Sequence, residues 1–180
     1  MNNQFPNKKF EGINYTFIHL NPLKLNLELE ENLINLNITF SCHCFTEKFD
    51  SEKHKEHHKY TYKKEIRAFG KIRYECSLQL PNIIQKMLTG KIYQTHESYT
   101  YVTEILLDTN LEKKYSIFFS LEKDKKVEKG LKVFIKSAYL KPLVSKKNAQ
   151  NWRFKGLAGI ILGIYSDRIK KTKPEKKKTP

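Results

Sequence analysis

Cysteine is scarce. Cys42, Cys44 and Cys76 are the only three in 180 residues, and an odd, low count excludes a disulfide framework and fits a reducing compartment. Long apolar runs are missing as well. The nearest to one, Gly156 to Tyr165, is about half of what a membrane span needs. The opening residues, MNNQFPNKKF, lack the apolar stretch of a signal peptide, so the expectation is a cytoplasmic chain that makes no membrane contact. Three chemical signatures are absent: a glycine-rich loop to cradle phosphate, a nucleophile elbow, and a carboxylate pair at recognisable spacing. There is no internal repeat. The last shortage is acid: 19 Asp and Glu stand against 34 Lys and Arg, a formal net charge of +15.

What is present can fold. Hydrophobic residues make up 39% and aromatics 12%, enough for a core and too much for a disordered chain. The length suits one domain with tails. The cation excess favours a polyanionic partner, nucleic acid before a membrane surface or an acidic protein. Part of it sits in a basic tail at 168–180, expected to be disordered, but the body of the chain is basic too.

Read in order, residues 1–12 form a loose arm. Ile13 to Leu20 reads as a strand. Leu23 to Glu30 alternates strictly, with Leu23, Leu25, Leu27 and Leu29 on one face, and Leu33 to Phe40 places Ile34, Leu36, Ile38 and Phe40 likewise; together they predict a hairpin. Residues 41–64, rich in Lys, His and Glu, read as a long charged loop. Residues 65–90 carry Leu80, Ile83, Ile84, Met87 and Leu88 at helical spacing and read as a central helical region. Lys91 to Thr95, Tyr99 to Leu107, Lys113 to Leu121 and Leu131 to Leu140 read as an antiparallel meander. Leu143 to Gln150 reads as a basic loop. In 151–167 the glycines Gly156, Gly159 and Gly163 argue against a helix, so a final strand is expected. The class is α+β: an N-terminal β-hairpin layer, a central helix and a C-terminal antiparallel β-meander, all one domain over 13–167.

Four constellations stand out. Arg67, Lys71, Arg73, Tyr74 and Ser77 combine forked cations with hydroxyls, and guanidinium suits phosphate oxygens. On a helix Arg67, Lys71 and Tyr74 would share a face; the plainer reading is a solvated half of an amphipathic helix. Second, Cys42-x-Cys44 beside His43, with His54, His57 and His58, invites a metal reading. Paired zinc ligands usually stand further apart and there is no second cysteine pair, so no metal and no cofactor is expected. His43 alone suits proton transfer near neutral pH. Third, Lys136-Ser137-Ala138-Tyr139 ends the strongest strand; alternation puts Val133, Ile135 and Ser137 on one face and Lys136 and Ala138 on the other. Fourth, the meander is aromatic (Tyr93, Tyr99, Tyr101, Tyr115, Phe118, Phe119), mostly as core, though an exposed ring beside a cation stacks bases.

The run FSCHCFT, RAFGKIRYECSLQLPNII, KKYSIFFSL and LKVFIKSAYLKP resembles a family of small prophage- and plasmid-associated bacterial proteins with stress and stationary-phase labels. The likeness covers Phe40 to about Pro142. The layout is also similar to the barnase/EndoU/colicin/RelE-like toxin nucleases. That resemblance implies a metal-independent endoribonuclease of toxin type, in which the ribose 2′-hydroxyl attacks the adjacent phosphate. His43, Arg67, Arg73 and Tyr74 would be catalytic; Thr46, Lys71, Ser77, Lys136, Ser137 and Tyr139 would hold substrate. RNA would be the partner, with an acidic antitoxin or immunity protein to neutralise it. The alternative is a non-catalytic RNA- or DNA-binding module from a mobile element.

Overall fold

The computed structural model describes residues 3–95, 98–106, 112–141 and 150–165. The expected arm is part of the fold. Phe5 is fully buried, and β1 (Lys8–Phe10) pairs with β2 (Ile13–Tyr15). Only those three residues of the expected strand from Ile13 to Leu20 are extended in a ladder; Ile18–Leu20 is a 3-10 turn. The hairpin is present as read: β3 (Leu23–Leu29) and β4 (Asn32–Phe40) pair from Leu23↔Ile38 to Leu29↔Asn32. Glu30 adopts φ +53 in the connecting turn, the left-handed value a two-residue hairpin turn requires.

The charged stretch 41–64 is not a loop. A 3-10 turn (Cys42–Cys44) leads into β5 (Thr46–Lys48), and a second (Glu56–His58) into β6 (Lys59–Tyr62). The central helical region also divides. Glu65–Phe69 is a strand, β7, and only then do α1 (Lys71–Ser77) and α2 (Leu80–Met87) follow. β7 sits between β5 and β6, antiparallel to both. Pairing on both edges supplies the backbone hydrogen bonds that helical spacing would otherwise have provided, and Gly70 marks the boundary as the N-cap of α1.

β8 (Lys91–Gln94), β9 (Tyr99–Leu106), β10 (Glu112–Asp124) and β11 (Gly130–Leu140) form the expected antiparallel meander. It does not stand apart from the hairpin. β4 runs parallel to β11, with Ile38 opposite Val133. β12 (Asn151–Arg153) adds beside β8, giving one seven-stranded sheet in the order β12-β8-β9-β10-β11-β4-β3. After β12 the chain is α3 (Phe154–Leu162), not a strand. Two of the glycines that argued against a helix have other reasons. Gly163 ends α3 at φ +78, the usual C-terminal stop. Gly159 lets the Tyr165 ring lie where a Cβ would be. α3 touches β3, β10 and β12, elements from across the sheet order, as a curled sheet permits. The mixed α+β class stands, and the tail at 168–180 lies outside the described residues.

One aromatic cluster ties the small sheet to the rest. Phe17 stacks on Phe45 at 4.0 Å between centroids, and Phe5 and Tyr60 meet Phe45 edge-on at 5.3 and 5.0 Å. Tyr74 meets Tyr15 and Phe17 the same way. Edge-to-face pairs of this kind add about 0.5–1.5 kcal/mol each beyond area burial. The segment that follows Cys42–Cys44 is therefore anchored from below by Phe45.

Candidate functional site

β7 is a strand, so its side chains alternate, and Glu65 and Arg67 share a face. Arg67 NH1 donates to Glu65 Oε1 at 2.8 Å and Arg67 Nε to Thr46 Oγ1 at 2.7 Å. Thr46 is fully buried, and its hydroxyl donates in turn to the Cys42 carbonyl at 2.7 Å. The 3-10 turn at 42–44 brings in His43. The Ser41 hydroxyl caps that turn by accepting from the His43 N–H, and Ser41 N donates to Ile135 O at 2.9 Å, hanging the turn from β11. The His43 ring Nε2 lies 3.1 Å from both oxygens of Glu65. An imidazole, a carboxylate and a guanidinium thus meet at one partly exposed place, with side-chain exposures of 35%, 49% and 13% for His43, Glu65 and Arg67.

Burial alone would raise the Glu65 carboxyl. Hydrogen bonds from His43 and Arg67 outweigh it and hold the group below the usual glutamate range. The two partners thus keep Glu65 charged.

Arg73 stands behind this group. From α1 its NH1 donates to Thr46 O at 2.9 Å and His43 O at 3.4 Å, and its NH2 lies 3.9 Å from Glu47 Oε2. Its guanidinium sits 4.9 Å from the centre of the Tyr139 ring, which stacks on Phe118. With NH1 on the Thr46 and His43 carbonyls and its plane against Tyr139, it holds the His43 turn in place.

Of the sequence-predicted residues, His43, Thr46, Arg67, Arg73 and Tyr139 therefore fall in one connected network. Tyr74 and Ser77 do not. The Tyr74 hydroxyl donates to Thr16 O at 3.1 Å within the aromatic cluster. Ser77 is fully buried, donates to Tyr74 O and meets His19 Nε2 at 2.9 Å. Lys71 is exposed on the first turn of α1, and Arg67, being on a strand, shares no helical face with it or with Tyr74. Lys136 has no opposite number on β10: the register jumps from Phe119↔Ile135 to Phe118↔Ser137. This bulge reverses the alternation. Ala138, not Ser137, follows Val133 and Ile135 into the core, and Ser137 is left partly exposed.

The histidine-rich stretch has structural work. His54 accepts the Asp50 N–H at Nδ1 and meets Glu47 through Nε2 at 3.2 Å; His57 and His58 pack against Phe10. Cys44 is fully buried, and burial pushes its thiol far up.

The sequence reading missed Glu65 as a site residue and missed the cleft beside it. That cleft, ≈ 570 Å³, is lined by Tyr62, Lys63, Lys64, Glu65 and Phe134, among others. Phe134 is 41% exposed, so an aromatic face and two lysines adjoin the carboxylate. The strand alternation of Glu65 and Arg67, with Gly70 closing the segment, was the available signal.

Among the described residues no helix is long and apolar enough to cross a membrane. No curated protein and no solved structure matches the chain. A family model does match, over residues 7–162, which takes in the small sheet, the large sheet and α3. On that match the chain belongs to the YjaZ family.

Proposed function

We propose that the protein is a metal-independent endoribonuclease whose reacting group is Glu65, His43 and Arg67. The observation that carries this reading is the three-way contact: a carboxylate held 3.1 Å from an imidazole and 2.8 Å from a guanidinium, at the edge of a cleft with lysines and an aromatic face. Cleavage by the 2′-hydroxyl needs a base for its proton, an acid for the leaving 5′ oxygen, and positive charge on the pentacovalent phosphorane. Glu65 takes the proton. His43, as imidazolium, gives one to the leaving oxygen. The products are a 2′,3′-cyclic phosphate and a free 5′-hydroxyl. Arg67 faces the phosphorane, and Lys63 and Lys64 hold flanking phosphates. Tyr62 and Phe134 offer rings for a base to stack on. Tyr74, with its hydroxyl committed to Thr16 O, has no part in proton transfer.

The net charge of +15 supports an RNA substrate and, in a toxin setting, an acidic protein that neutralises it. The test is cleavage of single-stranded RNA in excess chelator, with the ends identified. His43→Ala, Glu65→Gln and Arg67→Ala should each slow cleavage by about 10²–10⁴-fold. RNA bound in a salt-dependent way but left intact would instead establish a non-catalytic nucleic-acid-binding module.

A further inference from the structure

We propose that Cys42, His43 and Glu65 bind one zinc-class divalent ion, and that the bound ion switches the reacting group off. The first half stands on geometry alone; the second rests on the nuclease reading. One ligand atom from each residue (the thiol sulfur, a ring nitrogen and a carboxylate oxygen) lies within 4.8 Å of the others. His43 Nε2 and the Glu65 oxygens, 3.1 Å apart, are already near the ~3.3 Å edge of a tetrahedron with arms of about 2.0–2.1 Å. Thiolate, imidazole and carboxylate are ligands a zinc-class ion takes, and three protein ligands leave its fourth position open. Calcium and magnesium, which take oxygen ligands, are poorly served by a sulfur.

The ligands are held before any ion arrives. Ser41 caps the turn that carries Cys42 and His43, Arg73 holds the His43 carbonyl, and Arg67 holds Glu65. Cys42 is only 3% exposed, yet it lines the same cleft as Glu65, so an ion has a way in. On binding, the Cys42 thiol releases its proton to solvent and Sγ, the imidazole nitrogen and the carboxylate coordinate. With both proton-transfer groups occupied, neither can exchange a proton with RNA.

The test uses the full chain, freed of metal and titrated with Co²⁺ as a spectroscopic stand-in for Zn²⁺. One equivalent should give a thiolate-to-cobalt charge-transfer band that Zn²⁺ displaces. Cys42→Ser should abolish the band and weaken Zn²⁺ binding in equilibrium dialysis about tenfold or more, since even outer-shell changes cost that much. Glu65→Gln should weaken binding similarly, and Cys76→Ser should change neither readout. Circular dichroism melts check that each variant folds; should Cys42→Ser not fold, His43→Ala and Glu65→Gln carry the comparison. Absence of a band at several equivalents of cobalt, or a band that persists in folded Cys42→Ser, overturns the site. Cleavage that continues with Zn²⁺ bound overturns the switch. Stoichiometric binding by a chain that never cleaves RNA, even metal-free, upholds the site and ends the nuclease reading.

Discussion

The Nε–H of Arg67 donates to the hydroxyl of Thr46 across 2.7 Å, and that hydroxyl passes the contact on to the Cys42 carbonyl. A buried side chain thereby couples the strand that carries the cation to the turn that carries the imidazole. Thr46→Val keeps the shape and removes both bonds. The expected result is a stability loss of about 1–3 kcal/mol, because two buried groups lose their partner. On the proposed nuclease reading, RNA cleavage should fall about tenfold in kcat with KM little changed, as for a residue that positions others. Thr46→Ser should restore both. Urea melts and steady-state kinetics check this; equal loss in Thr46→Ser would show that the methyl, not the hydroxyl, matters.

Arg73 divides its guanidinium between two carbonyls and the Tyr139 ring. A lysine keeps the charge but not the fork or the planar face. Arg73→Lys should therefore lower stability by about 1–3 kcal/mol and loosen the His43 turn. Amide exchange of residues 41–46 should speed up relative to that of β10. Unchanged exchange there would mean the turn is held by other contacts.

His19 has a pH signature. Burial pulls its ring down to about 4, against about 6.5 in an unfolded chain. Because the Ser77 hydroxyl donates to Tyr74 O, the neutral ring is the donor in the 2.9 Å contact with Ser77. The folded-state value is depressed, so this contribution is complete above pH ~6.5 and is lost as pH falls toward 4, where the unfolded chain takes the proton first. Discounted for its partial exposure, the loss is roughly 1–2 kcal/mol. Wild type should weaken more than His19→Gln between pH 7 and 4.5 in urea titrations. Parallel curves would rule the effect out.

Two glycines of α3 should respond with opposite sign. A Cβ at Gly156 meets nothing within 4 Å, so Gly156→Ala should stabilise by about 0.5–1 kcal/mol through helix propensity. A Cβ at Gly159 collides with the Tyr165 ring, so Gly159→Ala should destabilise by about 1–3 kcal/mol. Thermal melts of the two variants give the comparison directly, and a shared sign would contradict the packing described.

Much of the sheet could be read from the chain because period-2 alternation is strong where one face is buried, as in Leu23 to Phe40 and along β10. Segments 41–64 and 65–69 were illegible for the opposite reason. Their strands are short, charged and paired only with each other, so Arg67 looked like the start of the helix that begins after Gly70. That one misassigned period separated Arg67 from Glu65 and grouped it with Tyr74. At the other end of the site, a bulge with Lys136 as the extra residue exchanged the roles of Ser137 and Ala138, and no pattern on β11 alone reveals a bulge imposed by its partner strand. His43, Arg73 and Tyr139 stood out by residue type and Thr46 through the resemblance; what joins them is long-range pairing.

The parallel pairing of β4 with β11 sets Ile38 beside Val133, and the His43 turn hangs from Ile135. During synthesis His43, Glu65 and Arg67 leave the ribosome before the strand from which the turn hangs. The pairing of β5, β6 and β7 lies entirely within 46–69, whereas the hydrogen bond that ties the His43 turn to the large sheet forms only once β11 has emerged.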